Sequence, residues 1–437
     1  MKRGYASLSF AAAALVVAAC NPDDPNKLLG SGSGTAGSAG CPVVTTSPGG
    51  GGSGGGSAGS AGTTMTTSGT GTTTSTPTQK TVLDERVVSY TEALHTAALK
   101  IVGAPPTLEQ MMSIQNAPDE ATKASKYKDL IDQMMNDVRF KRRLVEYFRN
   151  TFRMAGPKSG NTPSRDTAPT FAARVVYEKR PFTDLFTATE HTCPTFDGTD
   201  FADGECPNGP PGMETVGLLT DPGIHAQYYG NLAFRRVRFF QEVFACGKFP
   251  AEYAPNAKDP PPIAGCEMAQ PYTNPWDFTK IAGHATTPQG RVDFQDCSSV
   301  ICANCHGTIN HRAPLFANFD ENGVWQPQFM VLLPITGTPA AVMDDYLVPG
   351  EPTAWRKDML APDIKSLGQQ MAADPDVATC AVTRVWNYAM SKGDVVTDSS
   401  SLDPSVIEKL VQSFKANGYN LNATWRDVFT HDDFVRF

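Results

Sequence analysis

The sequence predicts a mainly α protein: a helical domain with long Pro/Gly-rich loops, then a further helical region, both preceded by a disordered tether. Three observations predict it. Apolar residues recur at helical spacing in many segments after residue 82, strand-like alternation is short and scarce, and a Gly/Ser/Thr tract separates the N-terminal segment from the rest. Of the 437 residues, 40% are hydrophobic and 19% charged, enough apolar material for a sizeable core. The 37 Lys and Arg against 45 Asp and Glu give a formal net charge of −8, so no basic nucleic-acid surface is expected and nucleic acid is not an expected partner.

The segment 1–19 reads as an export signal. Lys2 and Arg3 form a positive start, and Leu8 to Val17 is an apolar run too short to span a bilayer. Val17-Ala18-Ala19-Cys20 places small residues directly before a cysteine and resembles the lipobox of bacterial lipoproteins. That resemblance implies cleavage before Cys20, lipidation of Cys20, and a protein held in the bacterial cell envelope by a lipid anchor. Asn21 follows, not the Asp that favours inner-membrane retention, so the outer membrane or cell surface is expected. Residues 20–81 then form the tether. Its Gly, Ser, Thr and Ala cannot bury enough surface to offset their ordering entropy. About sixty such residues span about 40–45 Å. Gly55-Gly56-Ser57-Ala58-Gly59 matches the nucleophile-elbow pattern, but lacks the strand and helix that chemistry needs.

The helices follow in order. Val82 to Val102 carries a stripe of Val87, Tyr90, Leu94, Ala97, Ala98 and Ile101. Ala104-Pro105-Pro106 stops it, and Thr107, with Gln110 three residues on, starts the next. Tyr127 to Met135, Phe140 to Met154 and Leu232 to Cys246 are further amphipathic stretches. After Trp355 come Ile364 to Ala373, Val377 to Ser391, Pro404 to Asn417 and Ala423 to Phe434. About 156–230 and 247–300 read as long loops. The domain plan is therefore 82–290 and 291–437 behind the tether.

Cys302-Ala303-Asn304-Cys305-His306 carries the chemistry. C-x-x-C-H is the attachment signature of c-type haem: two thioethers one helical turn apart meet the two vinyl groups on one porphyrin edge, and the next residue sets an imidazole under the iron. Covalent haem c is attached outside the bacterial cytoplasm, so signal and motif support each other. Zinc would need four ligands, with Cys297 and His311 the only nearby additions and no second C-x-x-C. A thioredoxin-like dithiol would need a βαβ setting that residues 290–310 lack. The expected cofactor is one covalent haem c on Cys302 and Cys305, with His306 as proximal ligand. For the sixth position Met343 and Met359 are the candidates; Met330 sits in the apolar run Phe329 to Leu333 and reads as core.

Cys302 to Trp325 reads CANCHGTINHRAPLFANFDENGVW. This resembles the haem segment CxxCHxxIDPxGxxxENFDxxGxW of cytochrome-c-like proteins of planctomycetes and myxobacteria, with Asn310-His311 in place of the usual Asp-Pro. Arg180 to Thr187, Gly217 to Pro222, Arg235 to Arg238 with Phe244 to Cys246, Val385 to Met390 and Phe414 to Tyr419 resemble further blocks of the same families. The resemblance covers most of 85–437. It implies a cytochrome-c-like helical haem region and supplies no substrate.

Seven cysteines remain, an odd number: Cys41, Cys193, Cys206, Cys246, Cys266, Cys297 and Cys380. Short loops suggest Cys193 with Cys206 and Cys246 with Cys266, with Cys380 a buried free thiol. Asp184, Glu190, Arg235, Arg236 and Arg238 are candidates to line a site, the arginines to pair with haem propionates, against the plainer reading of solvated helix faces. Three functions stay open. The first is one-electron transfer to a redox partner protein; the second, a haem-dependent peroxidase or oxygenase with its pocket in 82–290; the third, a surface lipoprotein with a structural haem.

Overall fold

The computed structural model describes residues 85–206, 214–247, 284–287, 290–293, 306–332, 337, 339–347, 349–356, 358–393 and 404–437. The signal segment, Cys20, the tether, Cys41, Cys266, Cys297, Cys302 and Cys305 lie outside them.

The structure is mainly helical. Ser89 caps α1 (Tyr90–Ile101), whose Ala93, Leu94, Ala97, Ala98 and Ile101 form the buried stripe. The helix starts later than Val82 because Val87 pairs with Phe437 in both directions, each N–H···O 3.0 Å, which holds residues before Ser89 out of the helix. Thr107 and Gln110 make the expected capping box on α2 (Leu108–Gln115), with N–H···O distances of 3.2 and 2.9 Å. Asp119 caps α3 (Glu120–Met135), and Asp137 caps α4 (Val138–Phe152).

Residues 156–230, expected as loop, hold α5 (Thr167–Tyr177), the one-turn α6 (Asp184–Thr187), a hairpin of β1 (Pro194–Phe196) with β2 (Phe201–Asp203), and α7 (Pro222–Gln227). α5 escapes the periodicity test because it is buried on almost every face, and its Pro169 sits in the first turn, where no intrahelical N–H is needed. Then come α8 (Phe234–Phe244), a hairpin of β3 (His284–Thr287) with β4 (Gly290–Asp293), and a pair of β5 (Ala354–Arg356) with β6 (Met359–Leu360). Four helices end the chain: α9 (Ile364–Ala373), α10 (Pro375–Ala389), α11 (Pro404–Ala416) and α12 (Leu421–Phe429).

Arg86–Phe437 forms one compact unit. α12 packs on α3 and α5 as well as α10 and α11. Trp425 of α12 is fully buried between Phe140 and Tyr147 of α4, at ring separations of 5.3 Å each, and Tyr388 of α10, at 5.2 Å. Tyr127 of α3 donates to the Phe429 carbonyl at 2.6 Å. Among the described residues, no helix is long and apolar enough to cross a membrane.

Cys193–Cys206 is bonded as expected and staples the β1–β2 hairpin. Cys246 is not joined to Cys266, and Cys380 is not a free thiol: they bond to each other, with Cα atoms 5.4 Å apart across a sequence separation of 134. Short spacing favoured the wrong partner. The end of α8 lies against α10, where Arg384 donates to the carbonyls of Val243 at 3.0 Å and Glu242 at 2.9 Å.

Candidate functional site

Arg236 organises the site from beneath. Its side chain is fully buried, and all five of its N–H donors reach backbone carbonyls: His225 twice, at 3.1 and 2.8 Å, Phe316 at 2.7 Å, Phe319 at 3.0 Å and Asp320 at 3.1 Å. Burial pushes its pKa down to about 10, and the neighbouring Tyr229, Tyr346 and Asp320 act against that. It is therefore neither a solvated charge nor a donor left over for a carboxylate. Arg238 pairs with Glu242 at 2.8 Å, and Arg235 is exposed. Asp184 pairs with Arg180 at 2.8 Å and Glu190 is exposed, so neither carboxylate belongs to this cluster.

The sequence blocks singled out above meet around this arginine. Gly323, at φ +71°, lies on the Pro222 carbonyl, which a Cβ there would strike. That contact presses the 313–325 segment onto α7. His225 of α7 is fully buried, stacks on Phe319 at 3.6 Å and makes an Nε2 contact of 2.7 Å with the Leu219 carbonyl. Its pKa is held well below the ordinary value, chiefly by burial and then by Arg236. Asp221 caps α7 through Oδ1, which accepts from Ile224 N at 2.8 Å. Its Oδ2 has no hydrogen-bond partner among the described residues, and burial raises its pKa to about 7.

The approach to α8 is strained. Asn231, Leu232 and Ala233 follow one another at φ +49°, +54° and +61°, in the left-handed region that non-glycine residues avoid. This turn delivers Phe234, whose ring meets the His306 imidazole edge-on at 4.9 Å. Residues 306–309 are helical. Asn310, four positions on and fully buried, sets its Oδ1 2.8 Å from His306 Nδ1. With an amide oxygen as acceptor, Nδ1 carries the proton and the lone pair stays on Nε2. Burial pushes the His306 pKa down to about 4, against the Asn310 hydrogen bond, so the ring is neutral at physiological pH. His306 itself is half-buried, and a neutral imidazole of fixed tautomer is a ready metal ligand.

Phe234 also packs on Tyr346 at 6.2 Å, and Tyr346 on Phe329 at 5.7 Å. Tyr346 is fully buried, and its hydroxyl has no hydrogen-bond partner among the described residues. Phe234 thus meets His306 on one side and Tyr346 on another, and Tyr346 packs on Phe329.

Of the expected site residues, Cys302 and Cys305 fall outside the described ones. Met343 opens the 3₁₀ turn Met343–Asp345 and is 47% exposed; its carbonyl accepts from Tyr346 N at 2.9 Å. Met359 lies half-buried on β6, opposite Arg356 of β5. Met330 is half-buried; its carbonyl accepts from the Tyr229 hydroxyl at 3.1 Å. His311 Nδ1 lies 2.9 Å from the Pro352 carbonyl. Among the described residues, no group of three or more His, Cys, Asp or Glu could hold a metal ion. Asn310 and Tyr346 were missed as site residues from the sequence. The i, i+4 spacing from His306 was a signal for the first; nothing local marks the second. No family model, curated protein or solved structure matches this chain.

Proposed function

We propose that this protein is a mono-haem c-type cytochrome, tethered to the bacterial envelope through a lipid on Cys20, that passes single electrons to a partner protein outside the cytoplasm. The observation that carries the reading is the Cys302-Ala303-Asn304-Cys305-His306 motif together with the fixed tautomer of its histidine. Cys302 and Cys305 would hold one haem as thioethers and His306 would ligate its iron; the haem would supply reversible one-electron chemistry. Asn310 keeps the Nε2 lone pair available, Phe234 holds the ring plane, and the buried Phe234–Tyr346 wall excludes water. Met343 and Met359 remain the two candidates for the sixth position. The tether gives the body its reach toward a partner.

The test is expression with a cytochrome c maturation system, followed by a pyridine haemochrome assay and oxidised and reduced spectra. One covalent haem with a six-coordinate low-spin spectrum is expected. The far-red charge-transfer band of methionine-ligated ferric haem, lost in either Met343→Ala or Met359→Ala, would assign the sixth ligand. A five-coordinate high-spin iron that binds carbon monoxide readily would replace electron transfer with the enzyme reading, and no covalent haem would overturn the proposal.

A further inference from the structure

We infer that Asn310 is the positioning residue that sets the electronic character of His306, and through it the reduction potential of the site. This rests on the haem reading above and adds to it a residue outside the attachment motif. The geometry is direct. Residues four apart on a helical turn share one side, and Asn310 N–H also reaches the His306 carbonyl, at 3.4 Å. The Asn310 side chain is fully buried, and its Oδ1 lies 2.8 Å from His306 Nδ1. Phe234 meets the same ring edge-on at 78°, so the imidazole is held both by its Nδ1 edge and by an aromatic neighbour. A histidine that ligates a metal is tuned by whatever accepts its second N–H. An amide oxygen is a neutral acceptor. It draws the Nδ1 proton less than a carboxylate does, so the ring gives less electron density to the metal and the oxidised state is less favoured. Asn310 therefore does two things: it keeps the lone pair on Nε2, and it keeps the potential higher than a carboxylate at the same position would.

The full chain, matured with haem, carries the test. Haem content is measured by pyridine haemochrome and the potential by spectroelectrochemistry in the wild type, Asn310→Asp and Asn310→Leu. Expected is haem content equal in all three, a potential below wild type in Asn310→Asp, and one above it in Asn310→Leu. In the diamagnetic ferrous wild type, ¹⁵N NMR should show a protonated, exchange-protected His306 Nδ1. Two variants that shift the potential in the same direction, or not at all, would reduce Asn310 to packing and overturn the inference while leaving the haem reading intact. If Asn310→Leu does not fold, the nearly isosteric Asn310→Asp decides alone: a potential at or above wild type overturns the inference. A wild type without covalent haem removes the haem reading and this inference together.

Discussion

Arg236 binds four backbone carbonyls from two separate parts of the chain, so its loss strands acceptors on both α7 and the 313–325 segment. Each buried polar group left unpaired costs about 1–3 kcal/mol. Arg236→Met keeps the stem and removes every donor; urea denaturation should show a loss of at least about 3 kcal/mol. A loss under about 1 kcal/mol would mean that the carbonyls find other partners. Asp221 and His225 give the stability of the same layer a pH dependence, and the signs oppose. The folded pKa of Asp221 is raised to about 7, so its contribution is complete below the unfolded value near 3.8 and is lost as pH rises through 7. That of His225 is lowered well below 6.5, so its contribution is present above 6.5 and is lost as pH falls. Asp221→Asn retains a capping oxygen and removes the first titration. Thermal unfolding between pH 5 and pH 8.5 should therefore show the variant gaining on the wild type as pH rises, by an amount on the order of 3 kcal/mol at most. Parallel curves for the two proteins would dismiss Asp221 as the source. At this scale the sequence was legible where chemistry is local. His306 stood out from five consecutive residues, but Arg236 read as one more charge on a helix face, because three of its four acceptors lie about 80 residues away.

The helices that sequence spacing located are those with one wet face and one dry face. α2 and α9 were legible from their caps and stripes, and α9 matches its expected bounds, Ile364–Ala373. α5 was not, because a helix buried nearly all round has no polar stripe to set the period. Disulfides obey the same division. Cys193–Cys206 closes a local hairpin and was readable, whereas Cys246–Cys380 follows from the packing of α8 on α10 and was not. The two bonds should also differ in weight. In the chain-entropy account a closed loop of about 15 residues contributes about 3 kcal/mol and one of about 100 residues about 4.7 kcal/mol. The paired serine variant at Cys246 and Cys380 should therefore lose more stability than the pair at Cys193 and Cys206, read by chemical denaturation under non-reducing conditions. The longer loop encloses the whole Cys302–His306 segment, so its removal should also loosen the region around His306. Peptide mapping of the oxidised protein that found Cys246 joined to Cys266 would contradict the bond outright.

Across the whole molecule, the ends of the folded body are stitched together: Ser89 N–H reaches the Val435 carbonyl at 2.8 Å, beside the reciprocal Val87–Phe437 pair. α12, the last helix, fills the centre of a core that α3, α4 and α5 begin. The sequence showed two helical stretches on either side of Pro/Gly-rich segments and suggested two regions. It could not show that they share a core, because long-range packing leaves no local period. The consequence is testable by cutting the chain. A fragment of residues 82–290 keeps α1 to α8 but loses Trp425, Phe429 and Tyr388, which leaves Phe140, Tyr147 and the Tyr127 hydroxyl facing water. Losing that buried aromatic surface is comparable with the whole stability of an ordinary domain, since each large buried side chain accounts for about 1.5–3 kcal/mol. The fragment should retain helical far-ultraviolet circular dichroism, lose the near-ultraviolet signal of fixed aromatic rings and unfold without a cooperative transition. The intact 82–437 body should instead unfold as one cooperative unit, with amide protection on α4 and α12 lost together in hydrogen exchange. Cooperative unfolding of 82–290 alone, with native near-ultraviolet dichroism, would restore the two-region view and make the shared core a docking of independent domains.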